Sequence, residues 1–489
     1  MKIYVLHPPF VLNSIFMSNF FRCTRWQGGV SRGGTFWYPI FLSYTTGVLE
    51  KAYKNVRLVD APAWKWDEKK VIQDVKKFGP DLIIIDSNFS SVRNDVYIAR
   101  LLKDNAEDIK TVLVGPPTSQ FPERILQNDG IDIIARLEYD FTIRDVAQAM
   151  EDGKSFDDIK GISYKEKGKI IHNPDREFIS SEDLDKIPFV SEVYKKHLRV
   201  KDYFLSHTLY PMVQIFTGRG CPNQCTFCSW PKTLMGRKYR VRSVENVVDE
   251  LEYIANDLPE IKEIFIEDDT FTINKKRIKE VCGEIKRRKL DITWSCNARP
   301  NLDYETMKVM KEAGCRLLDV GYESGSDEIL RNIKKGITTE EMKRFAKDAK
   351  KAGLMVLGDF VFGFPGETKE SAEKTIRFAK EIKPDIVQFA VATPIPGTEF
   401  YDYVKENGFL LVDDLEESLD NWGAQKCIIS YPEFTKEDIE YYVDKALKEY
   451  YLSPSYIPVV MKNILRKNGL HELKGIWKSA KVFFRYIRR

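Results

Sequence analysis

The sequence lacks any apolar run long enough to cross a membrane, and its first apolar stretch, within residues 1–6, is too short for a signal peptide. It also lacks a strong charge of either sign, because the net charge is only +3 over 489 residues. A protein that binds nucleic acid along its whole surface is more basic. These absences exclude a general nucleic-acid binder and predict a cytoplasmic globular protein of two or three domains.

Cysteine and histidine are scarce as well, with eight and five residues. Because cytoplasmic thiols stay reduced, these cysteines indicate a metal site or catalysis sooner than disulfides. Five of them are isolated and are predicted to be buried apolar residues: Cys23, Cys282, Cys296, Cys315 and Cys427. The other three, Cys221, Cys225 and Cys228, share one short segment and are the candidate metal ligands.

Residues 1–153 alternate short β-branched runs with amphipathic stretches, the pattern of a parallel sheet covered by helices. The predicted strands are Ile3–Leu6, Val56–Asp60, Asp81–Asp86, Thr111–Gly115 and Ile131–Ala135. They predict an α/β, flavodoxin-like doubly wound domain whose ligand lies beyond the carboxyl ends of the strands. Residues 154–210 are predicted to be a structured linker with a hairpin formed by Gly161–Tyr164 and Lys169–His172.

The alternation returns in residues 211–408, where six strand and helix units predict a partial barrel. The predicted strands are Val213–Thr217, Glu263–Glu267, Ile292–Asn297, Leu317–Tyr322, Val356–Phe362 and Ile386–Ala392. In such barrels the loops at the carboxyl ends of the strands build the active site. The three clustered cysteines follow the first of these strands, at that end.

Residues 409–489 form a less regular extension that finishes in a basic segment. Its apolar residues recur at spacings of three and four, which places them on one face of a helix. They are Leu470, Leu473, Trp477, Ala480, Phe484 and Ile487. Lysine and arginine surround this face, a pattern typical of helices that lie in a membrane interface. The segment is predicted to hold the protein at the inner face of the membrane. The alternative is a terminal helix docked on its own protein.

The segment Thr217–Cys228 supplies three thiolates in the spacing C-x₃-C-x₂-C. Structural zinc takes four protein ligands, usually as two separated pairs, and no second pair of cysteine or histidine lies nearby in the sequence. A four-iron cluster held by three thiolates keeps one iron open for the amino and carboxylate groups of S-adenosylmethionine (SAM). With an aromatic residue, Phe227, before the last cysteine, the segment resembles the signature of the radical SAM superfamily. A zinc knuckle or a chance cluster is the alternative.

This resemblance extends over residues 211–406. It implies a [4Fe-4S] cluster on Cys221, Cys225 and Cys228 that cleaves SAM reductively and releases a 5′-deoxyadenosyl radical. Other residues match positions near SAM in the family, and they are Phe227, Asp268, Asp269, Arg299, Glu323, Ser324 and Gly363. The two aspartates match the motif for the SAM amino group, and Gly363 matches backbone that packs on adenine. A reducing electron donor of the ferredoxin or flavodoxin type is the implied partner.

A flavodoxin-like domain in front of the barrel resembles the cobalamin-binding subgroup of the superfamily. The motif Asp-x-His-x-x-Gly is absent, so no histidine is placed to bind the cobalt ion. Gly115–Thr118 occupies the loop that would face the corrin. Two interpretations stay open: cobalamin binds without a protein ligand, or the domain has lost it.

The stretches Phe36–Pro39, Asp60–Ala63, Ala135–Thr142 and Cys228–Pro231 resemble the hopanoid-biosynthesis radical SAM proteins and the archaeal calditol synthases. That resemblance implies a lipid substrate whose sugar-like head group is contracted to a cyclopentane polyol. The main alternative is a cobalamin-dependent C-methyltransferase that acts on a lipid or a small molecule.

Two further classes fit the sequence less well. A methylthiolating enzyme of transfer RNA normally carries three extra cysteines in its front domain, where only Cys23 is present here. A non-catalytic iron–sulfur sensor or electron carrier would leave the SAM-facing strand ends without a purpose.

Overall fold

The computed structural model describes residues 1–465, except residues 19, 23–27, 31–34 and 107. In the first part of the chain the strands are β1 (Lys2–His7), β2 (Val11–Leu12), β3 (Ile15–Phe16), β4 (Phe20–Phe21), β5 (Gly29–Val30), β6 (Asn55–Asp60), β7 (Leu82–Asp86), β8 (Lys110–Val114), β9 (Ile133–Ala135), β10 (Ile162–Glu166) and β11 (Lys169–His172). The helices are α1 (Ile40–Glu50), α2 (Glu68–Phe78), α3 (Val92–Asn105), α4 (Pro117–Gln120), α5 (Pro122–Leu126), α6 (Asp140–Asp152), α7 (Ser181–Leu184) and α8 (Val190–His197).

From residue 212 onward the strands are β12 (Met212–Ile215), β13 (Gly218–Arg219), β14 (Arg240–Val241), β15 (Glu263–Ile266), β16 (Trp294–Ala298), β17 (Cys315–Glu323), β18 (Met355–Phe362) and β19 (Ile386–Val391). The helices are α9 (Trp230–Thr233), α10 (Val244–Asp257), α11 (Lys275–Arg287), α12 (Tyr304–Glu312), α13 (Asp327–Asn332), α14 (Thr339–Ala352), α15 (Lys369–Ile382), α16 (Glu399–Glu406), α17 (Lys436–Tyr451) and α18 (Ile457–Ile464).

Seven strands of the front half form one sheet in the order β11-β10-β9-β8-β7-β1-β6. The five parallel strands, numbered along the chain, therefore follow the order 2-1-3-4-5, which is the flavodoxin-like order. Strand β7 reads Leu-Ile-Ile-Ile-Asp and is buried throughout, because strands of such sheets are covered on both faces. The predicted doubly wound fold is confirmed.

The predicted hairpin corresponds to β10 and β11. Strand β10 pairs antiparallel with β9, with Ile162 opposite Ala135. Without it β9 would be an edge strand, and an edge exposes unpaired backbone groups that favour another strand. The hairpin is therefore an extension of the front sheet. Along the chain, helices α7 and α8 follow it and precede the first barrel strand.

Six parallel strands, β12 and β15 to β19, form the second sheet in sequential order. A helix lies between each strand and the next, so the predicted partial (βα)₆ barrel is confirmed. The bounds of these strands lie within about two residues of the predicted ones. Such buried parallel strands are continuous apolar runs, which makes them easy to locate in a sequence.

The open barrel has two edge strands, β12 and β19, and tyrosine hydroxyls from other segments bind their backbone groups. Tyr38, in the front half, donates to the carbonyl oxygen of Met212 at 2.9 Å. On the other edge, the hydroxyl of Tyr451 accepts from the Val387 N–H at 2.9 Å and donates to its carbonyl oxygen at 2.7 Å. Buried backbone groups need such partners. The front half and the C-terminal extension therefore close the two sides of the barrel.

The described part of the C-terminal extension ends in two helices, α17 and α18, and α17 packs against β18, β19 and α15. The predicted basic amphipathic helix within 470–489 lies outside the described residues. Among the described helices, none combines the length and apolar character that a membrane span requires. The isolated cysteines at 282, 296, 315 and 427 are buried, as predicted, and Cys23 lies outside the described residues.

Candidate functional site

A cavity of about 500 Å³ occupies the barrel and reaches the front half of the chain. Its wall combines the cysteine segment with residues of strands β16 to β19 and of the loop after β15. Phe21 and Trp37 line it from the front half, and Gln425 lines it from the C-terminal extension. A concave pocket of this size, with a few convergent polar groups, suits a cofactor and a small molecule.

The cysteine segment is shaped by contacts with neighbouring backbone. Gly220 adopts φ +90°, and a Cβ there would lie 2.3 Å from the carbonyl oxygen of Lys238, so only glycine fits before Cys221. The Gly220 N–H donates to Asp269 at 2.8 Å. The amide of Asn223 donates to Cys221 Sγ at 3.1 Å. The segment therefore has a defined conformation set by the protein itself.

The three thiols line the cavity and none forms a disulfide. In the part of the chain that the structure describes, no three His, Cys, Asp or Glu side chains are grouped closely enough to hold one metal ion. Tetrahedral zinc needs such a group, whereas the thiolates of a four-iron cluster each bind a different iron. Three thiols alone do not supply the four ligands of structural zinc, whereas three thiolates are a ligand set that leaves one iron of a four-iron cluster open.

The adjacent aspartates after β15 have different surroundings. Asp269 lines the cavity beside Gly220. Asp268 is fully buried, and its carboxylate accepts from the Thr217 N–H at 2.6 Å, from the Thr217 hydroxyl at 2.7 Å and from Tyr239 at 3.0 Å. Burial raises the pKa of Asp268. The structure thus brings Asp269 to the cavity, while Asp268 fixes the strand end beneath it.

Arg299 and Glu323 line the cavity together with Lys335. Lys335 donates to Glu323 Oε1 at 2.7 Å, and both side chains are buried. Arg299 donates to the carbonyl oxygen of Lys335 and lies 3.7 Å from Cys225 Sγ, where its charge favours an anionic cluster. Glu323 has φ +65°, and its Oε2 has no hydrogen-bond partner among the described residues. Strain and an unpaired oxygen inside a cavity mark a binding position.

Of the remaining sequence candidates, Phe227 lines the cavity, but Ser324 and Gly363 do not. The Ser324 hydroxyl lies 3.2 Å from the hydroxyl of Thr375. Gly363 has φ +102°, and its carbonyl oxygen accepts from Tyr431 of the C-terminal extension at 2.8 Å. These two residues therefore shape turns of the barrel, because their hydrogen-bond partners are other protein groups.

Sequence patterns do not single out three polar residues of the barrel interior: Asp319 on β17, Asp359 on β18 and Gln388 on β19. All three line the cavity. Burial and the neighbouring Asp319 raise the pKa of Asp359 well above its ordinary value. Asp359 is the one charged residue of β18. Asp319 lies among apolar residues in the middle of β17, between Arg316 and Glu323. A carboxyl group in a buried strand lowers stability unless it has a binding partner or a function. A charged residue within an apolar strand is therefore the sequence signal by which Asp319 and Asp359 could be found.

Buried ion pairs join the front half to the cysteine segment. Arg219, two residues before Cys221, is 2% exposed and lies 2.7 Å from Asp140 and 3.5 Å from Glu138. Arg240 donates to Glu138 at 2.6 Å. Both acids belong to the stretch Ala135–Thr142. That stretch therefore anchors the cysteine segment to the front domain.

The carboxyl edge of the front sheet holds buried polar groups near β1 and β7, where the strand order reverses. His7 lies between Asp60 and Asp86, at 3.0 Å and 3.9 Å. The Ser87 hydroxyl and the Asn88 amide nitrogen are buried without a hydrogen-bond partner in the described chain. Unpaired polar atoms at such a switch point indicate a polar ligand. The edge therefore fits the polar periphery of a corrinoid.

Asp86 gives this edge a pH dependence. Burial raises the pKa of Asp86 from 3.8 to about 6, so the folded state holds a proton that the unfolded chain releases. The stabilising effect is complete below pH 4 and is lost as the pH rises through 6. We expect the free energy of unfolding of the protein to fall by about 3 kcal/mol more than that of Asp86→Asn between pH 4 and 7. Urea titrations of both check this, and parallel pH profiles would contradict it.

Two family models match the chain. The radical SAM superfamily model matches residues 215–379, and the B12 binding domain model matches residues 28–147. The uncharacterized methyltransferase PH0819 of Pyrococcus horikoshii is 34% identical over 456 residues, which cover 92% of this chain and 95% of that protein. The cytidylyl-2-hydroxyethylphosphonate methyltransferase of Streptomyces wedmorensis is 27% identical over 446 residues, which cover 81% of this chain and 82% of that protein.

Solved structures share the fold over nearly the whole chain. The radical SAM methyltransferase TsrM from Kitasatospora setae, solved with cobalamin and a [4Fe-4S] cluster, superposes with a TM-score of 0.71 at 17% identity. The match covers 93% of this chain and 90% of TsrM. The cobalamin-dependent SAM radical enzyme OxsB, solved with aqua-cobalamin and SAM, gives 0.70 at 17% identity and covers 99% of this chain and 72% of OxsB.

These matches correct one prediction from the sequence. Ring contraction of a lipid head group is wrong as the main function, because several relatives that match most of this chain are named as methyltransferases and none of the reported ones is named as a lipid-modifying enzyme. The resemblance to hopanoid and calditol proteins is not shown by them. The 34% identity over almost all of PH0819 instead shows the family directly. The chain belongs to the radical SAM superfamily of enzymes, in the group whose barrel follows a B12-binding domain.

Proposed function

We propose that this chain is a cobalamin-dependent radical SAM methyltransferase that adds a methyl group to an unactivated carbon of a small molecule. The observation that carries the proposal is the single cavity lined both by the three thiols and by Phe21 and Trp37 of the front half. One chamber allows groups from two domains to meet in a fixed orientation. The methyltransferase relatives support the same reaction.

The residues of the cavity divide between the cluster and SAM. Cys221, Cys225 and Cys228 would hold the [4Fe-4S] cluster, and Asp269 would accept the SAM amino group. When bound, the cluster supplies the electron that cleaves SAM, and cobalamin carries the methyl group. Phe227 packs on the ring of another phenylalanine at 4.9 Å and keeps water from this end of the cavity.

Cobalamin binding is proposed for the carboxyl edge of the front sheet. Ser87 and Asn88 would hydrogen-bond the polar groups around the corrin, since both have unpaired buried atoms there. His7 is already held by Asp60, which supports binding without a histidine ligand to cobalt.

Some sequence predictions remain proposals. A radical SAM enzyme needs a reductant, and we expect a ferredoxin or flavodoxin to supply it. The domain boundaries at residues 153, 210 and 408 stay predictions that limited proteolysis checks. Membrane attachment through Leu470–Arg489 also stays a prediction. Liposome co-sedimentation that deletion of this segment leaves unchanged would contradict it.

The proposed function predicts a labelled product. The chain, reconstituted without oxygen with iron, sulfide and hydroxocobalamin, is incubated with a reductant, SAM labelled in its methyl group and a small-molecule extract of the source cells. We expect corrin absorbance in the protein after gel filtration, and both 5′-deoxyadenosine and a labelled methylated compound by mass spectrometry. 5′-Deoxyadenosine without any label transfer, or the absence of bound corrin, would contradict the proposal.

A further inference from the structure

The barrel interior holds a carboxyl pair that the proposed cluster and SAM contacts do not use. Asp319 and Asp359 lie on the neighbouring strands β17 and β18 and both line the cavity. The strand register places Asp359 two residues along from Asp319, so both side chains are on the same face of the sheet. Burial and the neighbouring Asp319 raise the pKa of Asp359 well above its ordinary value, which favours a proton on the pair. The pair is therefore an acidic group that faces the space where a small molecule fits.

The wall beside the pair is shaped by a glycine. In the strand register Asp359 lies opposite Gly321, which separates Asp319 from Glu323 along β17. A Cβ at Gly321 would lie 2.4 Å from Glu323 Oε1 and 3.0 Å from Lys335 Nζ. The missing side chain lets the Glu323–Lys335 ion pair lie against the strand, next to Asp359. The carboxylate of Glu323 is thereby brought close to the pair Asp319 and Asp359.

Glu323 is an independent sign that a ligand belongs here. It is 4% exposed, and its Oε2 has no hydrogen-bond partner among the described residues. Burial, Asp319 and Glu323 all raise the pKa of Asp359 well above its ordinary value, in that order of size. Glu323 is thus close enough to act on Asp359 through its charge. A buried acceptor without a donor is costly, and a ligand N–H would satisfy it.

The charges that line the cavity indicate the sign of the charge on that ligand. Among the described residues, five carboxyl groups line the cavity against two cationic side chains. The carboxyl groups are those of Glu267, Asp269, Asp319, Glu323 and Asp359. Both cations are already engaged, since Lys335 binds Glu323 and Arg299 binds backbone and faces Cys225. An enclosed region with excess negative charge concentrates cations.

We infer that Asp319 and Asp359 bind a positively charged nitrogen of the methyl acceptor, so the substrate is a primary or secondary ammonium compound. The inference rests on the proposed function and names its substrate class. When the ammonium group binds, both carboxylates accept hydrogen bonds from its N–H groups, and a proton held on Asp359 leaves to water. Charge-assisted bonds of this kind fix the acceptor at one end.

Three probes of similar shape test the inference directly: benzylammonium, benzyl alcohol and benzoate. They are titrated calorimetrically into the reconstituted protein with SAM. We expect benzylammonium to bind at least about 10-fold more tightly than the alcohol, and benzoate not to bind. Asp359→Asn should abolish the preference, while the control Asp291→Asn, an exposed acid before β16, should keep it. Equal affinity for ammonium and alcohol, or a preference unchanged in Asp359→Asn, overturns the assignment.

A second measurement does not depend on a variant that folds. In the unmodified protein, benzylammonium titrations in buffers of different ionisation enthalpy should show release of about one proton. If no proton is released, the assignment of the nitrogen to Asp359 is overturned. The same question is asked of natural compounds by fractionating the cell extract on a cation exchanger at pH 7. Labelled methyl groups should enter compounds of the retained fraction. Labelling of the flow-through alone overturns the inference. Probe binding without labelling in any fraction contradicts the proposed function and supports the carboxyl pair.

Discussion

Replacing Cys225 by serine should abolish the iron–sulfur cluster and reduce SAM cleavage to the background without enzyme. Cys225 is the most buried of the three clustered thiols and lines the cavity. A cluster with two remaining thiolates would expose a second iron to solvent and lose it on gel filtration. Iron and sulfide content, visible absorbance and 5′-deoxyadenosine formation after reduction measure the effect.

A matched control separates the loss of a ligand from the loss of a buried thiol. Cys282 lies on α11, is fully buried and does not line the cavity. Cys282→Ala should therefore keep the iron content and the cleavage rate of the unmodified protein. A Cys225→Ser protein that retains its cluster and its cleavage rate would contradict the assignment. Equal loss in both variants would show that the effect is structural.

The fold could be predicted from the sequence because strands that are buried on both faces appear in the sequence as continuous runs of apolar residues. Strand β7 is a clear example, because it reads Leu-Ile-Ile-Ile before its final aspartate and is buried throughout. The pairing of β10 with β9 was not accessible in the same way. A hairpin pattern predicts that two strands pair with each other, but it does not indicate which edge of which sheet they extend.

The site was accessible only in part, because a sequence does not say which way neighbouring side chains point. Asp268 and Asp269 are equivalent acids in the sequence, yet the first binds Thr217 and the second lines the cavity. Strand β15 ends before both acids, and Asp269 lies in a turn. The path of the turn decides which acid faces the ligand, and a sequence pattern does not give that path. Asp319 and Asp359 show the opposite case, in which site residues give no recognisable pattern in the sequence. They match no motif, and only strand register brings them together.

The buried ion network between the two halves predicts the largest change in stability. Replacing Asp140 by asparagine should lower the free energy of unfolding by about 3–5 kcal/mol, because Arg219 then keeps a buried charge without its nearest partner. Urea unfolding at constant pH measures it. The exposed pair of Arg100 and Asp104, 4.0 Å apart, provides the control. Asp104→Asn should change the free energy of unfolding by less than about 1 kcal/mol.

The same network links stability to the cluster, because Arg219 precedes Cys221 by two residues. Asp140→Asn should therefore also lose iron faster than the unmodified protein when a chelator is added. Asp140→Asn leaves the buried charge of Arg219 with Glu138 alone, which Arg240 also binds. Replacing both partners with apolar residues, as in Arg219→Met with Asp140→Leu, removes that poorly compensated charge and should recover much of the lost stability. If the double variant is no more stable than Asp140→Asn, the cost lies in packing around the side chains, because the double variant lacks the Arg219 charge.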